Sequence, residues 1–241
     1  MGLLGVIGGS GLYGLEAEKG PAPAGPETTP WGPTSGPVTV SDSGRVAFVA
    51  RHGVDHSIAP HRINYRANVH ALKETGCDRV LAVSSVGGIA PECAPGTLVV
   101  PDQLIDYTWG REATFQGEGD PVVHADFTDP FSPGFRAKVT EAMSRLGMEF
   151  VDGGIYAVTQ GPRFETAAEI GRLARDGCSI VGMTAMPEAI LAREAGLQYA
   201  AICPVGNLAA GIAAEELRIE EVISAVGPSM ERVAELIAAI A

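Results

Sequence analysis

Basic residues are scarce in this chain: 17 Lys and Arg stand against 29 Asp and Glu, a net charge of −12 over 241 residues. Sequence-independent nucleic-acid binding needs clustered Lys and Arg to neutralise phosphates, so that function class is excluded. A small anionic substrate remains admissible, because charges more than about 8 Å apart are screened at physiological salt and local groups decide. No apolar run approaches the ~20 residues that span a bilayer. No basic segment followed by an apolar run and a cleavage site opens the chain, so no signal peptide is expected and the expected compartment is cytoplasmic. Cysteine is sparse as well. Cys77, Cys93, Cys178 and Cys203 form no C-x-x-C and no short repeated spacing, and they read as inert core thiols. G-x-S-x-G, Walker A and H-E-x-x-H are all missing. Their absence excludes a hydrolase elbow serine, a P-loop and a helical zinc site.

What is present is a large apolar fraction, 46%, enough for one sizeable core. Short apolar runs alternate with helix-period segments, which predicts a single α/β domain over residues 1–241 with a mixed, largely parallel central sheet flanked by helices. Strands are expected at Leu3–Ile7, Val46–Ala50, Val80–Val83, Thr97–Val100, Ile155–Val158, Ile180–Gly182 and Tyr199–Cys203. Helices are expected from Asn64 to a stop at Gly76, over 134–147, 167–175 and 187–195, and from Glu215 to Ile240. The last carries an apolar stripe through Val222, Val226, Met230, Val233 and Ile237, and Gly227-Pro228 is expected to kink or break it. Residues 108–133, polar and rich in Gly and Pro, predict a long functional loop. The 24–40 region has the character of a loop or of antiparallel edge strands.

The chemistry gathers at predicted strand ends, where open α/β sheets bind ligands. Gly9-Ser10-Gly11-Leu12-Tyr13-Gly14 matches G-x-G-x-x-G, but a Pro-rich stretch follows where a dinucleotide fold needs a helix, and no acidic residue ends a second strand. It reads instead as a turn whose N–H groups and Ser10 hydroxyl hold an oxyanion. Arg51 offers a planar donor fork suited to phosphate, with His52 beside it. Ser84, Ser85 and Thr184 add hydroxyls at two further strand ends. His52, Asp55, His56 and His61 are the one metal-like cluster, and Gly53 and Pro60 spoil its geometry, so no metal is expected. Phe164 precedes Glu165, a carboxylate expensive to bury alone. A purine answers both, with Phe164 stacked on its face and Glu165 accepting its N–H. Asn207 supplies a side-chain amide at a third strand end.

These motifs resemble the trimeric purine nucleoside phosphorylases, on their methylthioadenosine phosphorylase branch. The likeness runs through Ile7-Gly8-Gly9-Ser10-Gly11, Arg51-His52-Gly53, Asn64-Tyr65-Arg66-Ala67-Asn68, Gly161-Pro162-Arg163-Phe164-Glu165 and Gly182-Met183-Thr184 with Met186-Pro187-Glu188. It implies a nucleoside phosphorylase fold and phosphate held by Ser10, Arg51, His52, Ser84, Ser85 and Thr184. It places Met183 against the ribose and Phe164 on the base. Inorganic phosphate is the co-substrate, with no cofactor.

Two departures bear on the substrate. Asn207 and Ala209 stand where adenine-using members carry aspartates, and Glu165 where that branch commonly has serine. The 6-oxopurine relatives share Asn207 and Glu165. Ile219 replaces the histidine that meets a 5′-hydroxyl, and suits a methylthio group; it also fits as the first core residue of the last helix. His124 resembles the histidine that the methylthio branch passes to a neighbouring subunit, which implies a homotrimer. The expected reaction is phosphorolysis of S-methyl-5′-thioinosine, with Glu165, Asn207 and Arg51 as catalytic groups. Methylthioadenosine phosphorolysis, inosine or guanosine phosphorolysis and non-catalytic nucleoside binding stay open.

Overall fold

A computed structural model describes residues 2–8, 28–213 and 219–241, with the side chains of the last segment described from residue 225. Its centre is a largely parallel sheet. The strands β1 (Leu3–Gly8), β5 (Val46–Ala50), β6 (Cys77–Val83) and β13 (Gln198–Leu208) are almost wholly buried and nearly all apolar, as strands covered on both faces must be. The sheet runs β4-β5-β1-β6-β13-β7-β12-β11-β9, where β4 is Thr39–Val40, β7 Val86–Gly88, β9 Gln103–Asp106, β11 Ile155–Val158 and β12 Cys178–Gly182. β1 pairs in parallel with β5 and β6, β13 with β6, and β11 with β12 and β9. The antiparallel pairs are β12 with β7 and β4 with β5. β8 (Leu98–Val100) joins antiparallel to β13 and parallel to β10 (Val151–Asp152). β2 (Thr28–Thr29) and β3 (Gly32–Pro33) form a separate ribbon, so the expectation of short edge strands near 24–40 is met within the described residues.

Successive strand residues point to opposite faces. In β6, Val80 and Ala82 pack with Val69 and Leu72 of α1 (Tyr65–Glu74) and with Ala189, Leu191 and Ala192 of α4 (Ala185–Glu194). Leu81 and Val83 face the other way, onto Phe135, Val139 and Met143 of α2 (Pro133–Arg145) and Val226, Met230 and Val233 of α5 (Ile219–Ile240). The remaining helix, α3 (Ala167–Arg175), begins two residues after Glu165.

Local rules set the helix ends. The Asn64 side chain caps α1 by accepting from the Ala67 N–H at 3.2 Å, and Gly76, at φ +96°, supplies the left-handed stop. α5 runs through Pro228 as one helix, so of the expected kink or break the break does not occur. A mid-helix proline costs ~3 kcal/mol. The buried row Val226, Met230, Val233 and Ile237 offsets it, since each fully buried apolar side chain contributes about 1.5–3 kcal/mol. Val222 lies outside the described side chains. β13 is also longer than its expected five residues, because the strand continues past Pro204 with a register shift between Val205 and Asn207. The short β7, β9 and β10 had no pattern of their own to predict them.

Candidate functional site

The parallel ends of β5, β6, β12 and β13 open into one cavity of about 370 Å³, within the usual range for small-molecule sites. Arg51 and His52 enter it from β5, and Ser84 and Ser85 from β6. Met183 and Thr184 follow β12, and Asn207 and Ala209 come from the end of β13. Phe164 and Glu165 close the side beyond β11. Ten of the thirteen expected site residues therefore line a single space. Ser10 lies outside the described residues. Ile219 is the first residue of α5, with its side chain outside the described set. His124 is exposed in the long loop and does not line the cavity.

Arg51 is a surprise of orientation. Only 1% exposed, it turns its fork inward onto Glu188, also 1% exposed: Nε donates to Oε2 at 2.9 Å and Nη2 to Oε1 at 3.0 Å. Nη1 donates to the Val83 carbonyl at 2.8 Å, and Nη2 also to that of Ile7 at 3.0 Å. Of the five guanidinium hydrogens, these four bonds leave one, on Nη1. Tyr199 donates its hydroxyl to Glu188 Oε1 at 2.9 Å. Burial works against the charge on Arg51, but the Glu188 carboxylate outweighs it and holds the guanidinium firmly protonated. Glu188 and Tyr199 were not expected at the site. A partner 137 positions away has no local signal, and only the cost of burying Arg51 alone could have called for one.

His52 is held neutral. Burial, and then the positive charge of Arg51, push its pKa down to about 4, against an opposing hydrogen bond to the Ile58 carbonyl. That bond, 2.8 Å from Nδ1, fixes the proton on Nδ1 because a carbonyl only accepts, so Nε2 is an acceptor. The rings of His52 and His56 lie 4.6 Å apart. Among the described residues no group of three His, Cys, Asp or Glu is placed to hold a metal ion. Ser84 and Thr184, each 5% exposed, share a hydrogen bond of 3.0 Å between their hydroxyls.

The opposite end is looser. Phe164 is 38% exposed. Glu165 accepts from the Thr159 hydroxyl on Oε1 at 2.5 Å, and no described residue occupies Oε2. The capping box of Thr166 and Glu169 starts α3 just behind it and ties down its backbone. The half-buried Asn207 donates one Nδ2 hydrogen to the Leu208 carbonyl at 2.7 Å, which leaves the second hydrogen and Oδ1. The four cysteines are buried and free, and burial pushes the thiols up, Cys77 to about 12 and Cys93 to about 11. They are inert, in keeping with their reading as core residues.

Residues 3–241 match the sequence model of the Phosphorylase superfamily. A protein of Xanthomonas campestris pv. campestris named as a probable S-methyl-5′-thioinosine phosphorylase is 51% identical, over 99% of this chain and 96% of its own. The 6-oxopurine nucleoside phosphorylase of Pyrococcus furiosus is 45% identical, over 97% of this chain and 90% of its own. The solved structure of methylthioadenosine phosphorylase from Schistosoma mansoni with adenine superposes with a TM-score of 0.91 at 33% identity, over 99% of this chain and 90% of that one.

Proposed function

The chain belongs to the phosphorylase superfamily, and from that premise we propose that it cleaves 6-oxopurine nucleosides with inorganic phosphate. The preferred substrate is S-methyl-5′-thioinosine, and the products are hypoxanthine and S-methyl-5-thioribose 1-phosphate. One observation carries the reading: Glu165 and Asn207 line the same cavity as the buried hydroxyl pair Ser84 and Thr184. The whole of residues 1–241 acts as one catalytic domain.

A phosphate oxygen forms a bond to C1′ as the C1′–N9 bond breaks; the released electron pair passes into the purine ring, which takes up a proton from solvent to leave as neutral hypoxanthine, balancing the proton lost by the phosphate. The transition state is oxocarbenium-like, as in other glycosidic cleavages. The protein contributes position and electrostatics. Ser84, Ser85, Thr184 and the remaining Arg51 hydrogen donate to phosphate, with Ser10 added by family likeness. His52 Nε2 accepts the P–OH proton of a monoprotonated phosphate. Met183 packs on the ribose, and Ile219 covers the 5′-methylthio group.

At the base, Phe164 stacks and Ala209 leaves room beside Asn207. Glu165 Oε2 accepts N1–H, and the second Asn207 hydrogen reaches O6. Adenine N1 is itself an acceptor and would face the carboxylate unpaired, a mismatch that can discriminate by about 10⁴. The reaction needs no cofactor. The active form is a cytoplasmic homotrimer in which His124 serves a neighbouring site; the exposed Val122 and Val123 beside it favour burial in such an assembly.

Inosine or guanosine as the main substrate is the second reading, favoured by the likeness to the Pyrococcus furiosus enzyme. The test is phosphate-dependent release of free base from methylthioinosine, methylthioadenosine, inosine and adenosine, side by side. The proposal expects methylthioinosine to lead in kcat/KM. A lead by either adenine nucleoside overturns the base assignment, and a lead by inosine overturns the sugar assignment.

A further inference from the structure

Arg111 lies in the long loop behind the cavity, outside its lining, and none of the readings above gives it a role. We propose that Arg111 is a positioning residue that fixes the base-binding loop relative to the phosphate-binding turn. The inference rests on the phosphorolytic reading of the cavity. The two arms of the guanidinium divide between the two segments. Nη1 donates to the carbonyls of Met183 at 2.8 Å and Met186 at 2.5 Å, on either side of Thr184, and more weakly to the Tyr65 hydroxyl at 3.2 Å. Nη2 donates to the carbonyls of Gln160 at 2.8 Å and Thr159 at 3.3 Å, at the start of the loop that carries Phe164 and Glu165. Nε reaches the Gln160 side chain at 3.3 Å, and the group sits over the Tyr65 ring, 5.5 Å from its centroid.

All these acceptors are neutral. No carboxylate pairs with Arg111 among the described residues, although its neighbour Glu112 pairs with Arg66. A half-buried cation spent on backbone carbonyls is an expensive way to tie down loops, and it makes sense where their separation matters. The two segments also touch directly. Gly161 has φ +61°, and a Cβ there would lie 2.5 Å from Met183 Sδ, so a side chain at this position would strain the backbone and push the Met183 side chain aside.

Each half is internally complete without Arg111. Thr159 holds Glu165, and Ser84 holds Thr184. Loss of Arg111 therefore leaves both binding sites formed and slackens the distance between them. Attack on C1′ depends on that distance, and a misplacement of about 1 Å costs on the order of 10²-fold.

The test compares Arg111→Ala and Arg111→Lys with the wild type on whichever nucleoside the wild type cleaves, so a wrong substrate assignment is seen in the wild type alone. The expected result is kcat lowered about 10²-fold in both variants, with KM for phosphate and for nucleoside each within about threefold. Lys keeps the charge but lacks the fork. Millimolar guanidinium should restore part of kcat to Arg111→Ala and none to the wild type. A kcat within threefold of wild type overturns the proposal, as does a loss confined to KM, or a kcat loss in Arg111→Ala that guanidinium does not relieve. Should Arg111→Ala not fold, Arg111→Lys decides by the same split between kcat and KM.

Discussion

The two ends of the cavity are built in opposite ways. At the end proposed to hold phosphate, Arg51, Glu188, Ser84 and Thr184 are at most 5% exposed and hydrogen-bonded to one another or to strand backbone. At the end proposed for the base, Phe164 is 38% exposed, and Glu165 and Asn207 each keep an atom free of described partners. The first end is locked by bonds among buried side chains; at the second, Phe164 and Glu165 stand on the loop after β11 and the half-buried Asn207 sits near the end of β13. With phosphate as the constant reactant of the proposed reaction, its cradle can be fixed into the fold. Base and sugar vary, and loop-borne side chains can change without disturbing the core.

The sharpest way to break this contrast is Glu188→Ala. It leaves the buried Arg51 charge uncompensated, for which about 3–5 kcal/mol of stability is expected to be lost. Glu165→Ala removes a half-exposed carboxylate with one hydroxyl partner and should cost no more than about 1 kcal/mol. Denaturant midpoints with matched m-values measure both. Equal costs would mean that the phosphate end is no more pre-built than the base end.

His52 extends the comparison to pH. Its folded pKa of about 4 lies below the ordinary 6.5, so the folded state resists protonation. Above pH 6.5 both states are neutral and nothing is lost. Between 6.5 and 4 the unfolded chain takes up the proton first, and stability falls by up to about 3 kcal/mol. His52→Gln should flatten that part of the stability curve. A decline of wild-type steepness in the variant would assign the acid sensitivity to other groups.

The same contrast explains what the sequence could and could not reveal. The long central strands were legible as apolar runs, and α1 as a periodic segment ending in Gly76. The residues that line the cavity were legible because they stand next to strand ends with chemistry no core needs. The inward turn of Arg51 was not, because its fork suits phosphate and carboxylate equally well and Glu188 lies in a distant helix. Arg111 was hidden for another reason: it contacts carbonyls, which every residue has, so no partner type marked it. The unbroken α5 shows tertiary packing overriding the local cost of Pro228.

At the base end the substitution to make is Asn207→Asp. An amide that donates to O6 becomes a carboxylate that repels it and accepts from an exocyclic amine. The ratio of adenine-nucleoside to 6-oxopurine-nucleoside kcat/KM should rise by about 10²-fold, in line with 1.5–3 kcal/mol for a hydrogen bond to a charged group. Glu165 still faces N1 in this variant, so 6-oxopurine activity should persist at a reduced level. Steady-state kinetics on methylthioinosine and methylthioadenosine give the ratio directly. An unchanged ratio would separate Asn207 from base recognition.

The smallest effect is expected at Ile219, the first residue of α5 and the residue proposed to cover the 5′-methylthio group. Ile219→His replaces an apolar surface with a donor that can reach a 5′-hydroxyl. Discrimination by apolar contact alone is weak, about 10–200-fold for a missing methylene, so a shift of about tenfold toward inosine over methylthioinosine is the reasonable scale. The base is the same in both substrates, so kinetics on the pair isolate the sugar contact. If both activities fall together, Ile219 serves the packing of the helix, and the preference for the methylthio group must come from another part of the wall.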